Sequence, residues 1–208
     1  MLERFARTLL PRRCPGCDGQ LGQAAGLCAA CMAALRPQVL SHSPLSGLVR
    51  PHLVVLGPYR GVLSRSVRAL KYGGAREVAD ALGTRLGREI PGAWQIGAVT
   101  GVPLHSSRLR ERGYNQAELL GRAAAGALGL PYLSTLTRQR ATGTQAKRHA
   151  SERLTALQDA FGIVPGLTLP ARLLLLDDVL TTGTTLKSCA DVLRAAGVSE
   201  VYFAAVAR

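Results

Sequence analysis

The chain is poor in aromatic residues, poor in acidic ones, and has no long apolar run. Phe, Trp and Tyr make up 4% of its 208 residues, too few to suggest the stacked-base surface that single-strand nucleic-acid binders use. Aspartates and glutamates number 13 against 26 lysines and arginines, a formal net charge of +13. Such a balance suits phosphate-bearing partners, nucleotide or nucleic acid. The longest apolar runs are a handful of residues, far short of the roughly 18 to 20 that a membrane span needs, so no membrane insertion is expected. The start, MLERFARTLLPRR, lacks the apolar core and small-residue cleavage site of a secretory signal and reads as a short amphipathic helix carrying Leu2, Phe5 and Leu9. A cytoplasmic protein is the expectation. The phosphate-loop pattern G-x-x-x-x-G-K-[ST] and a dinucleotide G-x-G-x-x-G after a strand are both missing, as are internal repeats and low-complexity tracts.

What is present falls into two parts. At 208 residues and 47% hydrophobic composition the chain can fill one core and carry a small satellite module. Four of the five cysteines lie in the first 31 residues, as Cys14-Pro-Gly-Cys17 and Cys28-Ala-Ala-Cys31. A C-x-x-C turn places both sulfurs on one side of a metal about 2.3 Å away, and two such turns supply a tetrahedral thiolate zinc site. Two disulfides are disfavoured without a secretion signal. With four thiolates the site is closed, so its expected role is folding rather than hydrolysis. Cys189 falls inside a helical pattern and reads as a small buried side chain.

Residues 1–40 are therefore expected to form the N-terminal helix and zinc module, and 41–208 the main domain. The stretch from Arg36 to Pro51 reads as a linker or irregular approach. HLVVLGPY is a strand; Leu63, Val67 and Leu70, then Val78, Leu82 and Leu86, mark two helices. IGAVTGVPLH is a strand running into a loop, followed by a helix opened by Asn115 and stopped by Gly129. A basic loop spans 138 to 148, with a helix from about Ser151, a strand from Arg172 to Leu176, a helix from Thr184 to Ala196 stopped by Gly197, and a last strand from Glu200 to Ala205. Strands alternating with helices imply an α/β domain with a mostly parallel twisted sheet flanked by helices.

The densest chemistry lies in LLLLDDVLTTGTT, residues 173 to 185. Four leucines in a row make a strand apolar on both faces, as at the centre of a parallel sheet. Asp177 and Asp178 then emerge at the carboxyl end of that strand, where open α/β sheets bind ligands. A turn at Gly183 and a helix start follow, offering backbone N–H groups and threonine hydroxyls to an anion. Two carboxylates beside a phosphate cradle would repel the phosphate unless they held sugar hydroxyls or a metal ion. A ribose 5-phosphate meets both conditions. Receiver domains also pair aspartates at a strand end, but only about thirty residues follow Asp178, too few for the rest of such a sheet.

This stretch resembles the phosphoribosyl pyrophosphate signature of type I phosphoribosyltransferases, and the whole chain is similar to the ComF family of competence proteins, which join a four-cysteine zinc module to such a domain. The matching pieces are the two C-x-x-C turns, ALKYGG at 69 to 74, VPLHSSRLRERGYNQAELL at 102 to 120, TRQRATGTQAKR at 137 to 148, Phe161 and LLLLDDVLTTGTT. One departure is Leu157-Gln158 where such chains carry an asparagine-leucine pair.

The resemblance implies that Asp177 and Asp178 accept hydrogen bonds from the ribose hydroxyls of phosphoribosyl pyrophosphate, while Thr181, Thr182, Gly183, Thr184 and Thr185 enclose its 5-phosphate. Pyrophosphate with Mg²⁺ would lie near Pro103, Leu104 and His105, with Lys71, Arg108 and Arg112 as counter-charges. Arg112 joins the two aspartates as a catalytic candidate, and Arg140, Lys147 and Arg148 form a flexible basic loop that could close over the site. Each has a plainer alternative: Lys71 as a helix C-terminal cap, His105 as a loop hydrogen-bonder, Asn115 as a helix cap, Tyr114 as packing. Two functions stay open. One is a transferase moving phosphoribose to an unidentified acceptor, in competence or in metabolism with no role in competence; the other is a DNA-uptake accessory, with catalysis reduced or lost, binding nucleotide or single-stranded DNA beside a helicase partner in natural transformation.

Overall fold

The computed structural model describes residues 12–45, 49–138 and 160–208. Helix α1 (Ala29–Ala33) closes the cysteine module. Strands β1 (Gln38–Leu40) and β2 (Leu53–Val55), helices α2 (Gly61–Tyr72) and α3 (Glu77–Glu89), strand β3 (Ala98–Gly101) and helices α4 (Ser106–Arg112) and α5 (Gln116–Leu128) follow. Then come β4 (Leu136–Arg138), β5 (Phe161–Ile163), β6 (Arg172–Val179), α6 (Thr184–Ala195) and β7 (Glu200–Ala207). The main sheet runs β1-β2-β7-β6-β3. β2, β7, β6 and β3 are mutually parallel, and only β1 is antiparallel, on β2.

The leucine run occupies the centre of this sheet, with Leu174 opposite Val99 on one side and Tyr202 on the other. All four leucines are fully buried, and strand alternation divides them between two layers. Leu174 and Leu176 share a core with Leu70 of α2, Leu82 of α3 and Leu120 of α5. Leu173 and Leu175 pack with Leu186, Cys189 and Leu193 of α6. A helix layer on each face is what a strand apolar on both sides requires. α3 and α5 approach closely because Gly83 and Gly87 present no side chain there. A Cβ on either would stand 2.4 Å from the Leu120 carbonyl oxygen or 2.6 Å from that of Ala124.

The cysteine module is continuous with the first layer: Cys14, Leu21, Leu27, Cys31 and Leu35 belong to the same buried cluster as Leu63 and Val78. Arg65 of α2 donates to the Gly16 carbonyl at 2.6 Å, and Arg12 pairs with Glu77 of α3.

Several elements differ from expectation. The approach segment contains β1, which pairs with β2; three residues are too short for a periodic signal. The loop after β3 contains the single-turn-pair helix α4, and β4 and β5 form a small antiparallel sheet of their own. β6 continues through the aspartates to Val179, which is paired with Ala207, and β7 runs to Ala207. The N-terminal amphipathic stripe, the helix from Ser151 and all but the first residue of the basic loop lie outside the described residues. No helix among the described residues is long and apolar enough to cross a membrane.

Candidate functional site

β6 delivers two carboxylates in succession, so alternation sends them to opposite faces. Asp178 is buried on the α2 side, where Lys71 Nζ, at the end of that helix, stands 3.0 Å from its Oδ1. Asp177 lies on the α6 side near Cys189 and Arg138, and its Oδ1 accepts the Asp178 backbone N–H at 2.8 Å. Burial and the neighbouring Asp178 charge push the Asp177 carboxyl up to about 7, against the opposing pull of that N–H, Lys71 and Arg138. The same surroundings push the Cys189 thiol up, burial first and Asp177 second.

Beyond β6 the chain turns through Leu180, whose N–H donates to the Ala207 carbonyl at 2.8 Å. Thr181 and Thr182 are exposed, and the Thr182 and Thr184 hydroxyls are 2.9 Å apart. Gly183 takes φ +79°, and a Cβ on it would stand 2.8 Å from Leu45 Cδ2; both facts require glycine. α6 starts at Thr184 with no side-chain cap. Its first-turn N–H groups therefore face outward without intrahelical partners, flanked by Thr184 and Thr185. Two carboxylates, a row of hydroxyls and free N–H groups thus meet at the carboxyl end of the sheet.

The cations from the loop after β3 are arranged unequally. His105 caps α4, its Nδ1 accepting the Ser107 N–H at 3.2 Å, which leaves Nε2 to carry the proton of the neutral ring. Arg108 and Arg110 are exposed, whereas Arg112 is half-buried with its guanidinium 5.2 Å from the Tyr72 ring centre. Asn115 caps α5 through the Ala117 N–H and also donates to the Val102 carbonyl at 2.9 Å, tying the cap to the end of β3. Arg140, Lys147 and Arg148 lie outside the described residues.

Arg138, at the end of β4, is a residue that sequence reasoning counted only among the basic-loop charges. It is half-buried, packs its guanidinium 5.2 Å from the Phe161 ring, and lies within electrostatic reach of both Asp177 and Arg108. Its pKa is lowered, by burial first and Arg108 second. Nothing local to a three-residue strand announces such a neighbour, because the contact joins segments about forty residues apart.

The four module cysteines converge as expected. Their sulfurs all lie within 4.8 Å of one another, with Cys14–Cys31 and Cys17–Cys28 each at 3.7 Å. A tetrahedron with Zn–S bonds of about 2.3 Å has edges of about 3.8 Å, so the donor set fits zinc. Burial would raise the Cys14 thiol, but the backbone N–H groups of Cys28, Gly16 and Cys17 outweigh it and bring it to about 6. Burial and the surrounding sulfurs push Cys31 up instead. A divalent cation at the centre supplies the charge that four adjacent thiolates need. Such a closed thiolate site is structural.

Comparison with known proteins finds similar chains. The double zinc ribbon domain family matches residues 5–44. The DNA utilization protein YhgH of Salmonella typhimurium is 34% identical over 203 residues, covering 85% of this chain and 87% of that protein. Competence protein F of Haemophilus influenzae is 38% identical over 114 residues, 53% of this chain and 50% of that protein. Among solved structures, the allosteric regulatory enzyme of purine biosynthesis is similar at TM-score 0.46 and 25% identity, over 63% of this chain and 26% of that one. The orotate phosphoribosyltransferase of Aeropyrum pernix follows at TM-score 0.38 and 22% identity, over 67% and 62%. Related at 34% identity to a protein of which it spans 87%, and built as a four-cysteine zinc module on a mostly parallel α/β sheet, the chain belongs to the ComF family.

Proposed function

We propose that the protein binds phosphoribosyl pyrophosphate with Mg²⁺ at the carboxyl end of β6 and acts in natural transformation. The observation that carries this reading is the junction from β6 to α6: paired carboxylates, then the Gly183 turn, then an uncapped helix start. Sugar hydroxyls suit the first part and a 5-phosphate the last. Residues 1–40 would serve as the zinc module that steadies the body, and 41–208 as the donor-binding domain.

In this reading Asp177 and Asp178 hold the ribose from the two faces of the strand. The N–H groups of the α6 start, with Thr181, Thr182, Thr184 and Thr185, hold the phosphate. Lys71, Arg108, Arg112 and Arg138 supply positive charge for the pyrophosphate, and Arg140, Lys147 and Arg148 complete it from the basic loop. His105 contributes by fixing the start of α4. The metal-ligand group found among the described residues is the cysteine set, so Mg²⁺ would arrive with the pyrophosphate oxygens, as it does where no dedicated protein cage exists. It would neutralise the leaving group. Transfer to an acceptor would then rest on charge stabilisation and positioning around an oxocarbenium-like ribose.

A second reading, supported by the net charge of +13 and by relatives named for DNA utilization and competence, is an accessory that contacts single-stranded DNA through its phosphates beside a helicase partner. Log affinity would then fall against log salt at about −0.7 per neutralised phosphate. The deciding experiment is calorimetric titration with phosphoribosyl pyrophosphate and Mg²⁺, comparing the native chain with Asp177→Asn/Asp178→Asn. Binding that vanishes in the variant supports the donor site. Absence of binding by folded, zinc-loaded native protein removes it and leaves the DNA reading in front.

A further inference from the structure

α2 ends in Leu70, Lys71 and Tyr72, and the end of α4 with the turn that follows it grips this tripeptide at both outer positions. The Tyr114 hydroxyl donates to the Leu70 carbonyl. The Arg112 guanidinium lies 5.2 Å from the Tyr72 ring centre and holds that exposed aromatic at the surface. Between the two grips, Lys71 reaches Asp178 at 3.0 Å. Tyr114 is itself fixed, buried to 9% exposure with the Arg76 guanidinium 4.7 Å from its ring centre.

The Leu70 carbonyl belongs to the last turn of α2, whose carbonyls have no intrahelical donor. Helix ends of this kind fray, and a lysine ammonium on a four-carbon stem has no rigid fork to hold it to a carboxylate. Whatever fixes the Leu70 carbonyl therefore fixes where Lys71 starts and how often its ammonium reaches Asp178. Packing alone would need only the ring of Tyr114. The hydroxyl makes a directed bond to the residue immediately before Lys71.

We infer that Tyr114 is a positioning residue for the donor site: its hydroxyl locks the end of α2 so that Lys71 stays on Asp178 and keeps that carboxylate oriented. This rests on the donor-site reading above for its functional consequence, though not for its structural one.

The test uses the full zinc-loaded chain with Tyr114→Phe, Lys71→Met, the double variant, and Arg76→Gln as a control for ring packing. The first readout is the Lys71 side-chain ammonium signal by ¹⁵N NMR, which needs no ligand. It is expected to be protected in the native chain, lost in Tyr114→Phe and retained in Arg76→Gln. The second is calorimetric affinity for phosphoribosyl pyrophosphate with Mg²⁺. Tyr114→Phe should weaken it about fivefold, the size of one lost hydrogen bond, and should add nothing in the Lys71→Met background. An unchanged Lys71 signal in Tyr114→Phe overturns the inference. So does an equal change in Arg76→Gln, or independent effects of the two substitutions on binding. If the native chain binds no donor, the donor reading fails alone, and the NMR comparison still decides the role of Tyr114.

Discussion

Lys71 and Asp178 form an ion pair across the α2–β6 boundary, Nζ to Oδ1 at 3.0 Å, with side-chain exposures of 22% and 12%. Removing one partner leaves the other charge poorly solvated. A fully buried pair costs about 3–5 kcal/mol when broken this way, and the partial exposure here lowers that to about 2–3 kcal/mol. Lys71→Met should accordingly reduce Tm by about 5–10 °C. Lys71→Met/Asp178→Asn should recover most of the loss, because the orphaned charge is gone. A double variant no more stable than Lys71→Met in thermal melts would show that the ion pair is not what Lys71 supplies.

The raised Asp177 carboxyl sets a pH dependence of known sign. Its surroundings are Asp178, Lys71, Arg138 and Cys189, and its folded value of about 7 lies above the ordinary aspartate value of 3.8. Between those values the folded state holds a proton that the unfolded state has released. Stability contributed here is present below about pH 4 and lost as pH rises through 7, with a slope of at most about 1.4 kcal/mol per pH unit. Denaturant melts from pH 4.5 to 7.5 should therefore show a steeper fall for the native chain than for Asp177→Asn. Parallel curves would remove Asp177 as the source.

Gly183 joins a left-handed backbone to a tight contact with Leu45. Gly183→Ala should cost about 1–3 kcal/mol and displace the turn that carries the threonines. Donor binding should fall more than stability does, which calorimetry at a temperature well below the melt would reveal. Unchanged affinity in a measurably destabilised variant would separate the turn from the ligand.

Zinc removal should be felt beyond the module. Cys14 and Cys31 share a core with Leu63 and Val78, and Arg65 and Glu77 hold the module from α2 and α3. Chelation, with metal loss confirmed by elemental analysis, should lower amide protection in those two helices while β3, β6 and β7 retain theirs. Protection lost only before residue 40 would mean that the module stands alone.

The pattern of what could be read in advance follows from interaction range. The leucine run, the Asn115 cap, the Gly129 stop and the two C-x-x-C turns are local signals, and the structure places each as expected. The three-residue strands β1, β4 and β5 have no period to detect and exist through their partners. β6 extends past the expected end because β7 keeps pairing with it through Val179. The Arg138–Asp177 proximity and the Tyr114–Leu70 bond were hidden for the same reason: both join distant segments, and Tyr114 read as packing because a buried ring is its commoner use.

The placement of Asp177 and Asp178 on opposite faces of one strand means that each carboxylate answers to a different helix layer. Substitutions among Leu70, Leu82 and Leu120 would reach the pair through Asp178, and those among Leu186, Cys189 and Leu193 through Asp177. Compensating changes that rescue a defect in one aspartate should therefore collect in its own layer. A directed-evolution experiment could retune the two halves of the site separately.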